Sequence, residues 1–253
     1  MAALLLACAC ALGTWCLALA LIALLDRLPR AGFDWALSAA TLLLVAALVG
    51  LRLTRDDTSA AGAGAAFGIA MCAWAWQELA CAPRRARRRV GFALETSLGQ
   101  ELAWALFVAG CAALTWDGAN LAARWTLPTL WLLHLSMRLN ALAQYHAGAS
   151  GPLLRPPWFA PGLPAAQLLS AVFPLTVTAG TAASVWALDT ALAQGGVTGE
   201  ATGLAMIGAA LAGGMCGHWA IVLRLPRWEL PPLPRSAAPP LPRQRERGQG
   251  VRA

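Results

Sequence analysis

The chain has 253 residues, of which 58% are hydrophobic and only 12% charged, and its formal net charge is +7. A soluble domain carries about 25% charged residues, so this composition excludes an ordinary soluble domain and points to an all-α integral membrane protein whose spans each need about 20 apolar residues. The basic residues are all arginine and gather in the connections and the C-terminal tail, where membrane orientation accounts for them and nucleic-acid binding is not implied.

Apolar runs place about seven transmembrane helices, at roughly 2–25, 35–53, 59–81, 98–116, 120–143, 168–193 and 200–223. The first has no basic leading region, and its apolar stretch is longer than that of a signal peptide, so it reads as a retained span. Between the second and third, Asp56-Asp57-Thr58-Ser59 has the chemistry of a helix start, where carboxylates and hydroxyls accept orphan N–H groups. The third carries Gly64 and Gly68, and the seventh Gly213 and Gly217. These are GxxxG pairs expected to let helices pack closely within the bundle. Pro128 and Pro174 fall inside the fifth and sixth spans, with neighbouring threonine hydroxyls available to the freed carbonyls. Trp35, Trp116, Trp125, Trp158 and Trp228 fit an interfacial aromatic belt.

Two domains follow: a helical membrane domain over 1–225 and a Pro/Arg-rich tail over 226–253. The tail repeats Pro-Pro-Leu-Pro-Arg at 231–235 and 239–243 and has too little apolar content to form a core. Arg27, Arg30, Arg84, Arg85, Arg87, Arg88, Arg89, Arg155 and the arginines of the tail all lie on one side of a seven-span topology. That side is the cytoplasm by the positive-inside rule, which leaves the N-terminus outside. The seven cysteines form no CxxC pair or Cys/His cluster, so neither a disulfide framework nor a metal site is expected.

Against this apolar background a few polar residues stand out. Trp131, His134 and Arg138 are spaced three and four apart, on one face of the fifth span. Gln77 and Glu78 end the third span, Gln100 and Glu101 begin the fourth, and His218 lies near the end of the seventh. All come to a similar depth near the cytoplasmic face. Ionised groups in a membrane are costly and therefore face inward and pair. The expectation is that Arg138 is balanced by Glu78 or Glu101, with Asn140 and the two glutamines completing the hydrogen bonds. Glu78, Glu101, His134, Arg138, Asn140 and His218 are the candidate polar or ligand layer, read either as a structural knot or as a binding site. Either histidine offers a nitrogen to a porphyrin-type metal. No nucleophile with a positioned base appears, and no HExxH, phosphate-binding loop or GxSxG element, so no enzyme is expected.

The segments LLDRLP at 24–29, LLLVAALVGLRLTRDDTS at 42–59, WAWQE at 74–78, Pro83-Arg84-Arg85, Glu101-Leu102-Ala103, SMRLN at 136–140 and His218-Trp219 occur in that order. This ordered set, spanning most of residues 15–225, resembles the PuhE family, photosynthetic-complex assembly proteins of purple bacteria. The resemblance implies an accessory protein of the bacterial cytoplasmic or intracytoplasmic membrane, with reaction-centre or antenna subunits and assembly factors as partners. It also implies bacteriochlorophyll or another tetrapyrrole as the ligand to consider. The alternative is a membrane transporter or pigment carrier that uses the polar layer. The family pattern has histidine where this chain has Gln77 and Gln100, which removes two of the ligands it would offer.

Overall fold

The computed structural model describes residues 1–25, 27–86, 95–148, 165–195 and 198–222. These form seven α-helices: α1 (Ala2–Leu25), α2 (Arg30–Thr54), α3 (Ala60–Ala86), α4 (Glu95–Thr115), α5 (Leu121–Gly148), α6 (Ala165–Ala193) and α7 (Gly199–Val222). The tail at 226–253, the arginines 87–89 and 155, and Trp158 and Trp228 lie outside the described residues. Each helix falls on one of the expected apolar runs. Two of them, Ala2–Leu25 and Ala31–Thr54, are long and apolar enough to cross a membrane among the described residues, while the apolar stretch Gly99–Thr115 is shorter.

The helices start and stop for local reasons. Ser59 Oγ accepts the Gly62 N–H at 2.9 Å, and Asp57 accepts the Ser59 N–H at 2.9 Å, so the acidic turn caps α3. The Asn120 side-chain oxygen accepts the N–H groups of Ala122 and Ala123 at the head of α5, and Thr198 does the same for Ala201 in α7. Each satisfies donors that a helix start leaves orphaned. Gly195, at φ 61°, takes the left-handed conformation just past α6 that a side chain would resist. α5 and α6 continue through Pro128 and Pro174. The Thr126 and Thr176 hydroxyls bond the carbonyls of Ala122 and Phe173, not the Arg124 and Ser170 carbonyls that a proline at i+4 frees.

α7 is the centre of the bundle and packs against α1, α3, α5 and α6. Residues 201–210 of it are buried without a break, and small residues make this possible: Ala201, Ala205, Ala209 and Ala210 meet Ala11, Ala66, Ala122 and Ala187 in the same core. Larger buried side chains, notably Phe67, Met71, Trp104, Leu127 and Leu130, fill the gaps. Because α1 contributes Leu4, Ala7 and Ala11 to this core, it belongs to the bundle. The outer faces carry the large apolar groups instead, including Leu17, Leu42, Val49, Leu53, Leu106 and Leu175. Trp35, Trp116 and Trp125 are exposed near helix ends, as an aromatic belt requires.

An inside of small residues with an outside of large apolar ones suits a lipid surround, where close packing and cross-helix hydrogen bonds join helices. Such bonds are present: Ser184 Oγ donates to the Gly208 carbonyl at 2.8 Å, and Trp76 Nε1 to Thr41 Oγ1 at 3.0 Å. Other hydroxyls, Thr14, Ser38 and Thr41 among them, bond the carbonyl four residues back in their own helix, which hides them from an apolar surround.

The two glycine pairs behave differently. A Cβ at Gly213 would press on Leu12 and Trp15 of α1 at 3.1 and 3.6 Å, and one at Gly217 on Met137 of α5 at 3.3 Å, so the pair on α7 is a place of close approach. Around Gly64 and Gly68 no heavy atom lies within 4 Å of a Cβ. They border a groove of about 470 Å³ between α1 and α3, so the GxxxG spacing on α3 does not mark a tight contact.

At one end of the bundle three connections are stitched together. The Asn120 N–H donates to the Arg55 carbonyl at 2.7 Å, the Asn120 side-chain amide to the Thr54 carbonyl at 3.0 Å, and the Gly199 N–H to the Thr58 carbonyl at 3.1 Å. Any side chain on Gly199 would run into Thr58.

A polar cluster beside a cavity

α5 carries most of the site, and its helical period decides what each residue meets. His134 and Arg138, four apart, share one face, which looks toward α3 and α4. His134 Nδ1 lies 2.6 Å from Glu78 Oε1 on α3, and its Nε2 lies 3.8 Å from Glu101 Oε1 on α4. Arg138 pairs with that same Glu101 oxygen. The indole of Trp104, one turn along from Glu101, packs on the His134 ring with centroids 5.1 Å apart. Four ionisable side chains from three helices thus form one chain, Glu78–His134–Glu101–Arg138. Its side-chain exposures rise from 9% at Glu78 and 11% at His134 to 20% at Glu101 and 32% at Arg138. With the imidazole neutral, the two carboxylates outweigh the guanidinium by one charge. A protonated imidazole would balance them.

The other two candidates sit elsewhere. Advancing two residues turns a helix by about 200°, so Ser136 and Asn140 occupy the face opposite His134 and Arg138. Asn140 donates to Thr176 Oγ1 of α6 at 3.0 Å and does not complete the Arg138 pair. His218 is fully enclosed: its Nε2 lies 2.8 Å from Ser136 Oγ and its Nδ1 2.7 Å from the Gly214 carbonyl. Both of its ring nitrogens are therefore engaged by protein groups. The expected single layer resolves into three contacts around α5, made to α3 and α4, to α6 and to α7.

Glu78, His134, Arg138 and Gln100 line one wall of a cavity of about 620 Å³. Trp15, Leu19 and Ile22 of α1, Trp74 of α3, and Gly213, Gly214 and Gly217 of α7 line the rest. A volume in the range of small-molecule sites, mostly apolar walls and one polar corner are the features of a pocket for an amphipathic guest. Several polar atoms around it have no hydrogen-bond partner: Trp74 Nε1, Gln100 Nε2, Glu101 Oε2, Trp104 Nε1 and His134 Nε2. Gln100 was expected among the hydrogen-bonding groups, whereas Trp74 and Trp104 were not among the candidate site residues of the sequence reading. The signal was their helical spacing, since Trp74 precedes Glu78 by four residues and Trp104 follows Gln100 by four. Among the described residues no group of three or more His, Cys, Asp or Glu side chains gathers as a metal site would.

Fold and site together define an all-helical bundle with two helices of membrane-span character and a charged cluster beside a partly open cavity. The chain belongs to the family described as Protein of unknown function (DUF3623), whose model matches residues 1–232. It is similar to a protein of Rhodobacter capsulatus described as an uncharacterized 30.4 kDa protein in the puhA 5′ region. The two are 29% identical over 213 residues, covering 75% of this chain and 76% of the relative. No solved structure matches the chain.

Proposed function

We propose that this chain is a seven-span membrane protein, N-terminus outside and C-terminus cytoplasmic, that assists assembly or maintenance of photosynthetic reaction-centre or light-harvesting complexes. The observation that carries this reading is the description of its Rhodobacter capsulatus relative as lying in the puhA 5′ region. The resemblance of ordered segments between residues 15 and 225 to a photosynthetic-complex assembly family supports it. So do the large apolar groups on the outer faces, which suit lateral contact with other membrane helices. The membrane is the bacterial cytoplasmic or intracytoplasmic one, and no catalytic role is part of this reading.

The test is the near-infrared absorption spectrum of membranes from a clean deletion strain grown phototrophically beside its parent. A selective fall in reaction-centre or antenna bands, restored by complementation, is the expected result. Unchanged bands at equal growth would end the assembly reading.

The cavity favours a second reading, that of a carrier or transporter for an amphipathic small molecule. A tetrapyrrole does not fit through axial histidine as the side chains stand. Both nitrogens of His218 are bonded, and the remaining nitrogen of His134 is enclosed beside Glu101. A pigment absorbance co-purifying with the protein would restore that ligand, and a colourless protein would leave the carrier reading to other amphiphiles.

A further inference from the structure

Two of the unpartnered atoms beside the cavity are complementary to each other. His134 Nε2 and Glu101 Oε2 both lack a hydrogen bond, and they belong to side chains that already approach within 3.8 Å through Glu101 Oε1. That separation is too long for a hydrogen bond. The oxygen that His134 approaches is the one Arg138 holds. A turn of the Glu101 carboxylate about its last bond, a soft torsion, would present one oxygen to Arg138 and the other to His134. Both orphan atoms would then be satisfied. The other side of the ring is already joined, with Nδ1 2.6 Å from Glu78. The chain therefore has one closed link and one open link, and closing the second makes it continuous from the partly exposed outer pair to the cavity-lining Glu78.

We propose that His134 relays a proton between Glu101, beside Arg138, and the carboxylate of Glu78 in the cavity wall. A proton on Glu101 passes to Nε2, breaking an O–H bond and forming an N–H bond. The proton on Nδ1 passes to Glu78, breaking an N–H bond and forming an O–H bond. One proton enters at the outer pair and one appears at the cavity, while the imidazole stays neutral with its hydrogen on the other nitrogen. Two acceptors flanking an imidazole are the arrangement such a relay needs. The charged groups facing the ring are Glu78 from α3, Glu101 from α4 and Arg138 from its own helix. α6 presents Thr176 to Asn140, and α7 presents His218 to Ser136, both on the opposite face of α5. Trp104 packed on the ring keeps it from turning over, so the relay runs by transfer through a fixed ring. The consequence for the cavity is that a guest there exchanges protons with the outer pair through protein groups.

The chain has three histidines, which makes histidine-selective ¹⁵N NMR of the whole protein in nanodiscs practicable. The wild-type protein is expected to populate both tautomers of His134, hydrogen on Nδ1 and hydrogen on Nε2, with the signal assigned by its loss in His134→Gln. Glu101→Gln should remove the Nε2–H population, and Glu78→Gln should shift the ring toward it. Glu101→Asp, which keeps the charge but shortens the reach, serves where Glu101→Gln does not fold, and should deplete Nε2–H without abolishing the Arg138 pair. A single Nδ1–H tautomer in the wild type, unchanged by substitution at position 101, would overturn the relay. The relay rests on the site and not on the complex served, so unchanged pigment bands in a deletion strain would leave this result standing.

Discussion

Replacing Glu101 by leucine takes the acceptor from Arg138 and the outer neighbour from His134. A buried ion pair broken on one side costs about 3–5 kcal/mol, because the remaining charge is stranded. Here Arg138 is 32% exposed, and its long stem lets the guanidinium reach toward water, so the cost of Glu101→Leu falls to about 2 kcal/mol. Arg138→Leu strands the better-buried Glu101, one of whose oxygens already lacks a partner, and should cost about 3 kcal/mol by the same reasoning. The double variant leaves no unpaired charge between them. It should therefore be milder than the sum of the two by about 1–3 kcal/mol, the range of coupling for residues in contact. The assay is reversible denaturation of the purified protein in mixed micelles, read by helix content, with membrane abundance of each variant beside it. Single variants that each cost under about 0.5 kcal/mol, with an additive double variant, would show that the two charges do not depend on each other.

Further expectations reach other parts of the bundle. Asn120→Ala removes the cap of α5 and the amide that holds the Thr54 carbonyl, and should cost about 2 kcal/mol in the same assay. Gly199→Ala drives a methyl into Thr58 and should lower the unfolding midpoint, whereas Gly64→Ala and Gly68→Ala enter open space and should each stabilise by up to about 1 kcal/mol. Asp57 is held below the ordinary carboxylate value of 3.8 by the Ser59 hydroxyl and then the Ser59 N–H. Its contribution is fully present above that value and is lost as pH falls through the lowered one. Unfolding followed down an acid series should therefore show a pH dependence that Asp57→Asn removes.

The positions of the seven helices were legible because apolar runs broken by Asp, Asn and Gly leave little choice of where a helix can lie. That Arg138 meets a carboxylate, Glu78 or Glu101, was legible too, since an ionised group among apolar residues must find an opposite charge, but which of the two, Glu101, was not. Asn140 was misjudged because its depth was considered without its bearing around α5. Two residues beyond Arg138, it looks the other way and meets Thr176. The bonds of His218 to Ser136 and Gly214 were not legible, because those partners depend on which helices lie side by side. The equal spacing of the two glycine pairs hid their difference, since no pattern within one helix says whether a neighbour stands opposite.

The stitching at Arg55, Thr58, Asn120 and Gly199 and the cavity between Trp15, His134 and Gly217 lie at opposite ends of the helices. Along α5, Asn120 and Arg138 are about 27 Å apart. The bundle is therefore pinned at one end and hollow toward the other. The pinned turns join α2 to α3, α4 to α5 and α6 to α7, and α1, which walls the hollow with Trp15, Leu19 and Ile22, is held by none of these three turns.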